Sequence, residues 1–123
     1  LEIENIEIII LNQRPLIARS TEYIFPTLFF NEIFSPYPKL VVDMGAVPYV
    51  CNGADLMVPG IQRIEGKFTK NDLILIVDEK FGKPLAIGLS LFGSEKMKNL
   101  EHGKVVKNLH YVGDRLWDYF KDF

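Results

Sequence analysis

The sequence predicts a mainly β chain with short helices, an α+β protein closed as a small barrel or pseudo-barrel. Three observations predict it. Short apolar runs that read as strands recur along the chain, each ended by Gly, Pro, Asn or Asp. The stretches at helical spacing are all short. The segment Val41–Ile61 (VVDMGAVPYVCNGADLMVPGI) joins a strand, a helix of about two turns and a turn richer in glycine than a plain connection needs. Many short strands between turns bury their apolar faces by curling into a barrel.

Each element has its own signal. Leu1, Ile3 and Ile6 alternate with glutamates before Ile8–Leu11 runs unbroken, which reads as one strand entering a core. Asn12–Pro15 turns the chain and Leu16–Ala18 returns it, so a hairpin is expected. Phe25, Leu28, Phe29 and Ile33 fall near helical spacing. Residues 25–34 are therefore expected to form a helix packed on that hairpin, with Pro26 in its first turn. Ser35–Pro38 carries two prolines that no helix continues through, and it divides the chain into residues 1–37 and 38–123. The chain opens on Leu1 rather than Met, and residues 1–37 are expected to be part of a larger N-terminal domain.

In the central segment Asp43 ends a β-branched run with a residue that caps helices. Pro48 has no N–H, so it belongs in a first turn and sets the helix start near Gly45. Asn52 and Gly53 tolerate the left-handed conformation that ends a helix. Leu56–Val58 reads as a brief strand, and Pro59–Gly60 turns the chain again. Gly53, Ala54 and Asp55 leave a loop with little side-chain bulk, which admits a second backbone and exposes N–H groups to it. A nucleic-acid phosphate is one partner for such a loop; a tight barrel corner is the plainer explanation.

Beyond it, Arg63–Lys67 reads as a polar connection and Phe68–Asp72 as a turn. Leu73–Val77 and Pro84–Leu91 read as paired strands around the hairpin turn Asp78–Lys83, with Gly88 marking a bulge or a close backbone approach. Ser94–Leu100 is expected as a short exposed helix capped by Ser94. Gly103 ends it, Val105, Val106 and Leu109 make a last strand, and Tyr111, Leu116, Trp117 and Phe120 pack a terminal segment.

A chain of 123 residues is one domain, or one domain with a small appendage. Its apolar and charged shares, 48% and 24%, are ordinary for a soluble globular protein and suffice for a core. The single cysteine excludes an intrachain disulfide and a cysteine-based zinc site. Cys51 lies among apolar neighbours and is expected to be a small buried residue. A reducing, cytoplasmic location fits, and no apolar run approaches the roughly 18 residues of a membrane span. Net charge is −2, which excludes a grossly basic nucleic-acid binder. Residues 1–37 hold five glutamates against two arginines, a net −3; the remaining 12 Lys/Arg and 11 Asp/Glu give residues 38–123 a net +1. An anionic partner is better met by the second part.

No catalytic motif stands out. Cys51, His102, His110, Asp43, Asp55, Asp72 and Asp114 form no recognisable nucleophile–base arrangement. Two histidines eight positions apart with one apolar cysteine do not make a metal site. His110, beside Tyr111, is expected to serve packing or hydrogen bonding in the last strand. No enzyme activity, metal or cofactor is expected. Lys96 and Lys98 read as a solvated helix face beside Glu95 and Glu101. Lys104 and Lys107 lie three apart, on opposite faces of a strand unless it bulges.

Asp43-x-Gly45-Ala46, Gly53-Ala54-x-x-Met57-x-Pro59-Gly60-Ile61, Asn71-Asp72, Ala86-x-Gly88 and Gly103 resemble, in order, the PUA domain. That is the RNA-binding module of pseudouridine synthases and archaeosine transglycosylases. The tail Asn108-Leu109-His110-Tyr111-x-x-Asp114-x-Leu116-Trp117 is similar to the malignant-T-cell-amplified-sequence family, and residues 5–40 resemble the end of that family's N-terminal domain. The compact chain looks like an archaeal member. The resemblance implies a PUA pseudo-barrel over residues 38–123 with a C-terminal extension, preceded by part of a small α+β domain.

It also implies RNA binding in translation, with tRNA or rRNA, the small ribosomal subunit and a separate initiation-factor-like protein as partners, and no membrane. Carried over by position, the RNA-facing residues are Gly53, Ala54, Asp55, Leu56, Met57, Pro59 and Gly60 in the loop. Lys104, Lys107, Asn108 and His110 join them from the last strand, with Val105 and Val106 between. Backbone donors, lysine charge and polar side chains of this kind recognise phosphate and exposed RNA ends. Asp55 is a departure, since it adds negative charge to that loop. Two other functions remain open: an accessory subunit of an RNA-modifying enzyme, and a protein-interaction module docking through its apolar N-terminal part.

Overall fold

The computed structural model describes residues 1–123, arranged as two sheets. Strands β1 (Glu2–Ile3), β2 (Ile6–Leu11), β3 (Arg14–Arg19) and β4 (Ile24–Pro26) form an antiparallel sheet in sequence order. Strands β5 (Lys39–Val42), β6 (Leu56–Met57), β7 (Ile61–Glu65), β8 (Leu73–Asp78), β9 (Pro84–Ser90) and β10 (Lys104–Tyr111) form the second. Its order is β6-β10-β9-β8-β5-β7, and only the β5–β8 pair is parallel. The helices are short: α1 (Val47–Val50), α2 (Ser94–Met97) and α3 (Arg115–Phe120), with single 3-10 turns at Asn31–Ile33 and Val58–Gly60. This is the mainly β, curled-sheet architecture expected, and no helix is long and apolar enough to cross a membrane.

Side-chain alternation decides the layers. Successive strand residues point to opposite faces, yet β5, β8 and β9 are apolar at consecutive positions, so both faces of the second sheet must be covered. Leu40, Val42, Ile74, Ile76 and Ala86 turn into the barrel, where they meet Val50, Leu56, Met97, Val105 and Val106. Val41, Leu75, Val77 and Ile87 turn outward and are covered by Ile8, Ala18, Phe25 and Leu28 of the N-terminal segment and by Leu116 and Phe120 of α3. At roughly 1.5–3 kcal/mol per buried aliphatic side chain, those four outward residues contribute about 6–12 kcal/mol. That is the scale of a whole domain's net stability, roughly 5–15 kcal/mol.

His110 pins this second layer. It is 1% exposed, and its Nε2 accepts the backbone N–H of Leu28 at 3.1 Å. A backbone amide only donates, so Nε2 is the bare nitrogen and Nδ1 carries the proton, which it gives to Asp114 Oδ2 at 2.7 Å. Asp114 also accepts from Tyr111 N and, as the N-cap of α3, from Trp117 N. Burial pushes the Asp114 carboxyl up, but the His110 hydrogen bond and these two amides outweigh it and hold it below its ordinary value of 3.8. Alongside, the rings of Phe29 and Trp117 stack at 4.7 Å.

Five expectations need correction. Residues 25–34 are not a helix: Ile24–Pro26 pairs with β3, and Asn31–Ile33 makes one 3-10 turn. Pro26 sits on the edge strand, where its missing N–H costs nothing, and the Thr27 hydroxyl donates to Pro15 O at 2.7 Å. The first strand is broken at Glu4 and Asn5, whose φ values of +49° and +68° fold β1 back on β2. Arg63–Lys67 is not only a connection, because Ile61–Glu65 is β7 and pairs with β5 across an irregularity at Val41/Val42. Ser94 is not the cap of α2: Gly93 is, and the buried Ser94 hydroxyl accepts from Phe68 N instead. Cys51 is half-buried rather than buried, and burial pushes its thiol up.

Gly88 answers to a close approach, as expected. A Cβ there would lie 2.3 Å from Val106 Cγ1 and 3.3 Å from Lys107 O. Val106 is β-branched and buried in the neighbouring strand, so it cannot swing clear. Gly88→Ala is expected to cost about 1–3 kcal/mol, read as a lowered melting temperature by circular dichroism; an unchanged melt would contradict this packing. Asp114 supplies a pH test. Its folded value is depressed, so its contribution is complete above 3.8 and is lost as pH falls through the lower folded value. Asp114→Asn is expected to destabilise by about 1–3 kcal/mol at neutral pH, and the gap from the parent should narrow as melts are taken toward pH 3. A constant gap would mean the carboxylate's charge is not what α3 and His110 use.

Candidate nucleic-acid interface

The connection from α1 to β6 and the exposed side chains of β10, which lies between β6 and β9, form one surface. α1 begins at Val47 with Ala46 as N-cap, and Pro48 lies in its first turn as its missing N–H requires. Asp43 Oδ1 accepts the Ala46 N–H at 2.8 Å just before it. Gly53 ends the turn with φ +92°. A Cβ at Gly53 would sit 3.0 Å from the Tyr111 hydroxyl. What approaches this glycine is therefore the Tyr111 ring from the end of β10, not a second backbone.

The loop is latched to β10 by two polar side chains. Asp55 Oδ1 accepts the Asn108 N–H at 2.8 Å, and its Oδ2 lies 3.1 Å from Lys104 Nζ. Asn108 Nδ2 donates to Val50 O at 3.0 Å and Ala54 O at 3.1 Å. Those two carbonyls fix the amide's orientation, which leaves Asn108 Oδ1 buried without a partner. The acid that looked out of place in a phosphate-facing loop is thus committed to holding the loop, with its charge compensated by Lys104.

β10 is irregular in its pairing between Lys104 and Val106 and again between Asn108 and His110. Val105 and Val106 are consecutive yet both wholly buried, a consequence of the first irregularity. Lys104 and Lys107 are therefore both exposed, although three apart on a regular strand they would face opposite ways. Lys107 has no carboxylate partner. Its Nζ lies 5.1 Å from the Tyr23 ring centroid, at the hydroxyl end, and donates to the Tyr23 hydroxyl at 3.4 Å.

The remaining expected residues divide. Ala54, Met57 and Pro59 are exposed, with Met57 48% accessible, and Gly60 is half-buried. Leu56, at 3%, belongs to the barrel core. His110 is a correction to the RNA-facing set: both its nitrogens are used inside the protein, so it supports the surface from beneath and does not face a partner. Two aromatic residues on this surface escaped the sequence reading. Tyr49 on α1 is 70% exposed, and with Ala46, Val50, Asp55, Leu56, Met57 and Gly60 it lines a shallow cleft of about 160 Å³. A signal existed, since a helix of four residues cannot bury Val47, Tyr49 and Val50 together. Tyr23 lies in another segment 84 positions away, and nothing local to it points to β10.

The PUA domain family matches residues 38–112. An uncharacterized protein of Methanocaldococcus jannaschii is 37% identical over 117 residues, covering 94% of this chain and 72% of that protein. Translation machinery-associated protein 20 of Eremothecium gossypii is 29% identical over 123 residues, covering 94% and 68%. A probable tRNA pseudouridine synthase B of Pyrobaculum aerophilum is 42% identical over 77 residues, which are 63% of this chain and only 23% of that protein. Among solved structures, a hypothetical protein from Pyrococcus horikoshii superposes with a TM-score of 0.82 at 37% identity, over 95% of this chain and 74% of that one. A chain of an H/ACA RNP bound to a substrate RNA superposes at 0.64 with 29% identity, over 76% and 28%. The latched loop and the exposed side of β10 both lie inside the matched residues, and this chain belongs to the PUA domain family.

Proposed function

We propose that this chain is an RNA-binding adaptor of translation, a cytoplasmic protein that contacts the small ribosomal subunit or tRNA and works beside a separate initiation-factor-like protein. The observation that carries the reading is the exposed side of β10 itself. A glycine loop is held rigidly against a strand whose two lysines both face solvent, and one of them, Lys107, has no acid to cancel it. Such a surface offers charge and preformed shape to a phosphate backbone without the groove-reading elements of a sequence-specific binder. PUA domains are RNA-binding modules, and the similarity to a protein named for the translation machinery supports the cellular setting.

The site offers no catalysis of its own. His110 and Asp114 are tied to each other and to backbone amides, and burial raises the Cys51 thiol, away from reactivity. The enzyme relative shares only its PUA portion with this chain. That similarity favours one second reading, an accessory RNA-binding subunit for an RNA-modifying enzyme supplied in trans.

Binding to purified small ribosomal subunits and to free tRNA, each followed across a salt series, separates these readings. The translation reading expects salt-sensitive binding to the subunit. Lys104→Ala with Lys107→Ala should weaken it and flatten the dependence of log K on log salt by about 0.7 for each phosphate no longer neutralised. Binding to tRNA alone would move the chain to the accessory role. Affinity indifferent to salt would refute a phosphate-binding edge. Asn108→Ala should also weaken binding, through the freed loop and not through charge, so that affinity falls while the salt slope holds.

A further inference from the structure

We infer that Tyr23, in the turn just before β4, is a positioning residue of the RNA edge: its hydroxyl holds the Lys107 ammonium in place on β10 for a phosphate of the RNA backbone. The inference rests on the RNA-binding reading above and adds to it a residue outside the matched PUA portion.

The two lysines of β10 are held in different ways. Lys104 is 3.1 Å from Asp55 Oδ2, and a carboxylate that fixes an ammonium also cancels it. Lys107 Nζ donates to the Tyr23 hydroxyl at 3.4 Å and lies 5.1 Å from the ring centroid, distances that place it beyond the hydroxyl end of the ring. A phenol oxygen accepts from an ammonium and carries no net charge. The contact restricts the four-carbon stem while leaving the full positive charge for an incoming anion. Of the two, Lys107 is the one equipped to meet phosphate, and Lys104 is largely engaged in keeping the loop closed.

Tyr23 is itself well fixed. Ser20 Oγ accepts the Tyr23 N–H at 3.0 Å and the Ser20 N–H donates to Tyr23 O at 2.8 Å, closing the turn from β3 to β4. Two residues on, Phe25 of β4 packs against the His110 ring at 6.1 Å. Tyr23 and Phe25 thus both reach β10, one at Lys107 and the other at the buried histidine three positions further on. The anchoring that holds the N-terminal sheet to the barrel is the same anchoring that carries Tyr23 to the RNA edge.

The test uses the full chain and fluorescence anisotropy on tRNA and on small ribosomal subunits, with Tyr23→Leu, Tyr23→Phe, Lys107→Ala and the Tyr23→Leu/Lys107→Ala pair. Tyr23→Leu is expected to weaken binding about two- to fivefold and to flatten the salt slope toward that of Lys107→Ala. Tyr23→Phe, which keeps the ring but removes the hydroxyl, should lose about as much as Tyr23→Leu. Adding Tyr23→Leu to Lys107→Ala should cost nothing more, since Tyr23 acts only through that lysine. Additive losses, or a Tyr23→Leu chain that binds like the parent while Lys107→Ala does not, would overturn the inference and leave the RNA reading standing. Failure of the parent to bind RNA, or indifference to Lys107→Ala, would overturn both. Should Tyr23→Leu melt early, Tyr23→Phe gives the second reading: an unchanged melt with weakened binding is expected, and binding like the parent's would overturn the hydroxyl's role.

Discussion

A sheet that is apolar on both faces governs this structure. Curling buries one face of β5, β8 and β9 but leaves Val41, Leu75, Val77 and Ile87 pointing outward. The N-terminal sheet and α3 exist in their observed places because they cover those residues. His110 gives the cover its register: Leu28 N–H on one side, Asp114 on the other, with the imidazole tautomer dictated by the amide. Remove either bond and a buried donor or acceptor is left unpaired, which costs more than the bond contributes when made.

That layer bears on the surface opposite. β10 belongs to both cores at once, since Val105 and Val106 face the barrel and His110 faces the N-terminal cover. Irregular pairing on either side of Lys107 reconciles these demands, and its by-product is that Lys104 and Lys107 share the solvent side. The loop at Gly53–Met57 is then fastened to the same strand by Asp55 and Asn108. Charge and shape at this edge are consequences of how the barrel is closed, with little left to loop mobility.

Much of this was legible in the sequence, and the failures are instructive. The glycines at 53 and 88 were readable because positive φ and close approach leave glycine as the residue of choice. The β8–β9 hairpin was readable from its turn. The supposed helix at 25–34 failed because apolar residues near helical spacing also suit a short edge strand followed by a turn, and only the presence of β3 as a partner decides. β7 was hidden by exposed polar residues on an edge strand, where Gln62, Arg63 and Glu65 face water. At the site, the small-residue loop was readable from pattern, while the two lysines came from the resemblance, and a regular strand would have exposed only one of them. Asp55 looked like a liability because its partner Lys104 lies far along the chain. His110 reads as a packing residue from its neighbours and as an RNA-facing one from the resemblance, and only the fold, by supplying Leu28 N–H, decides for the first. Tyr23 could not be found at all without the fold that brings the turn between β3 and β4 beside Lys107.

The central claim is that RNA meets the edge formed by the α1–β6 loop and β10. Photo-crosslinking of the parent chain to bound RNA, with the attached peptides identified by mass spectrometry, tests it most directly. Adducts are expected on residues 49–60 and 104–108, with Tyr23 beside them. Adducts confined to the apolar outer face of the N-terminal sheet, at Ile9 and Leu11, or to the β8–β9 hairpin tip at Phe81, would contradict it.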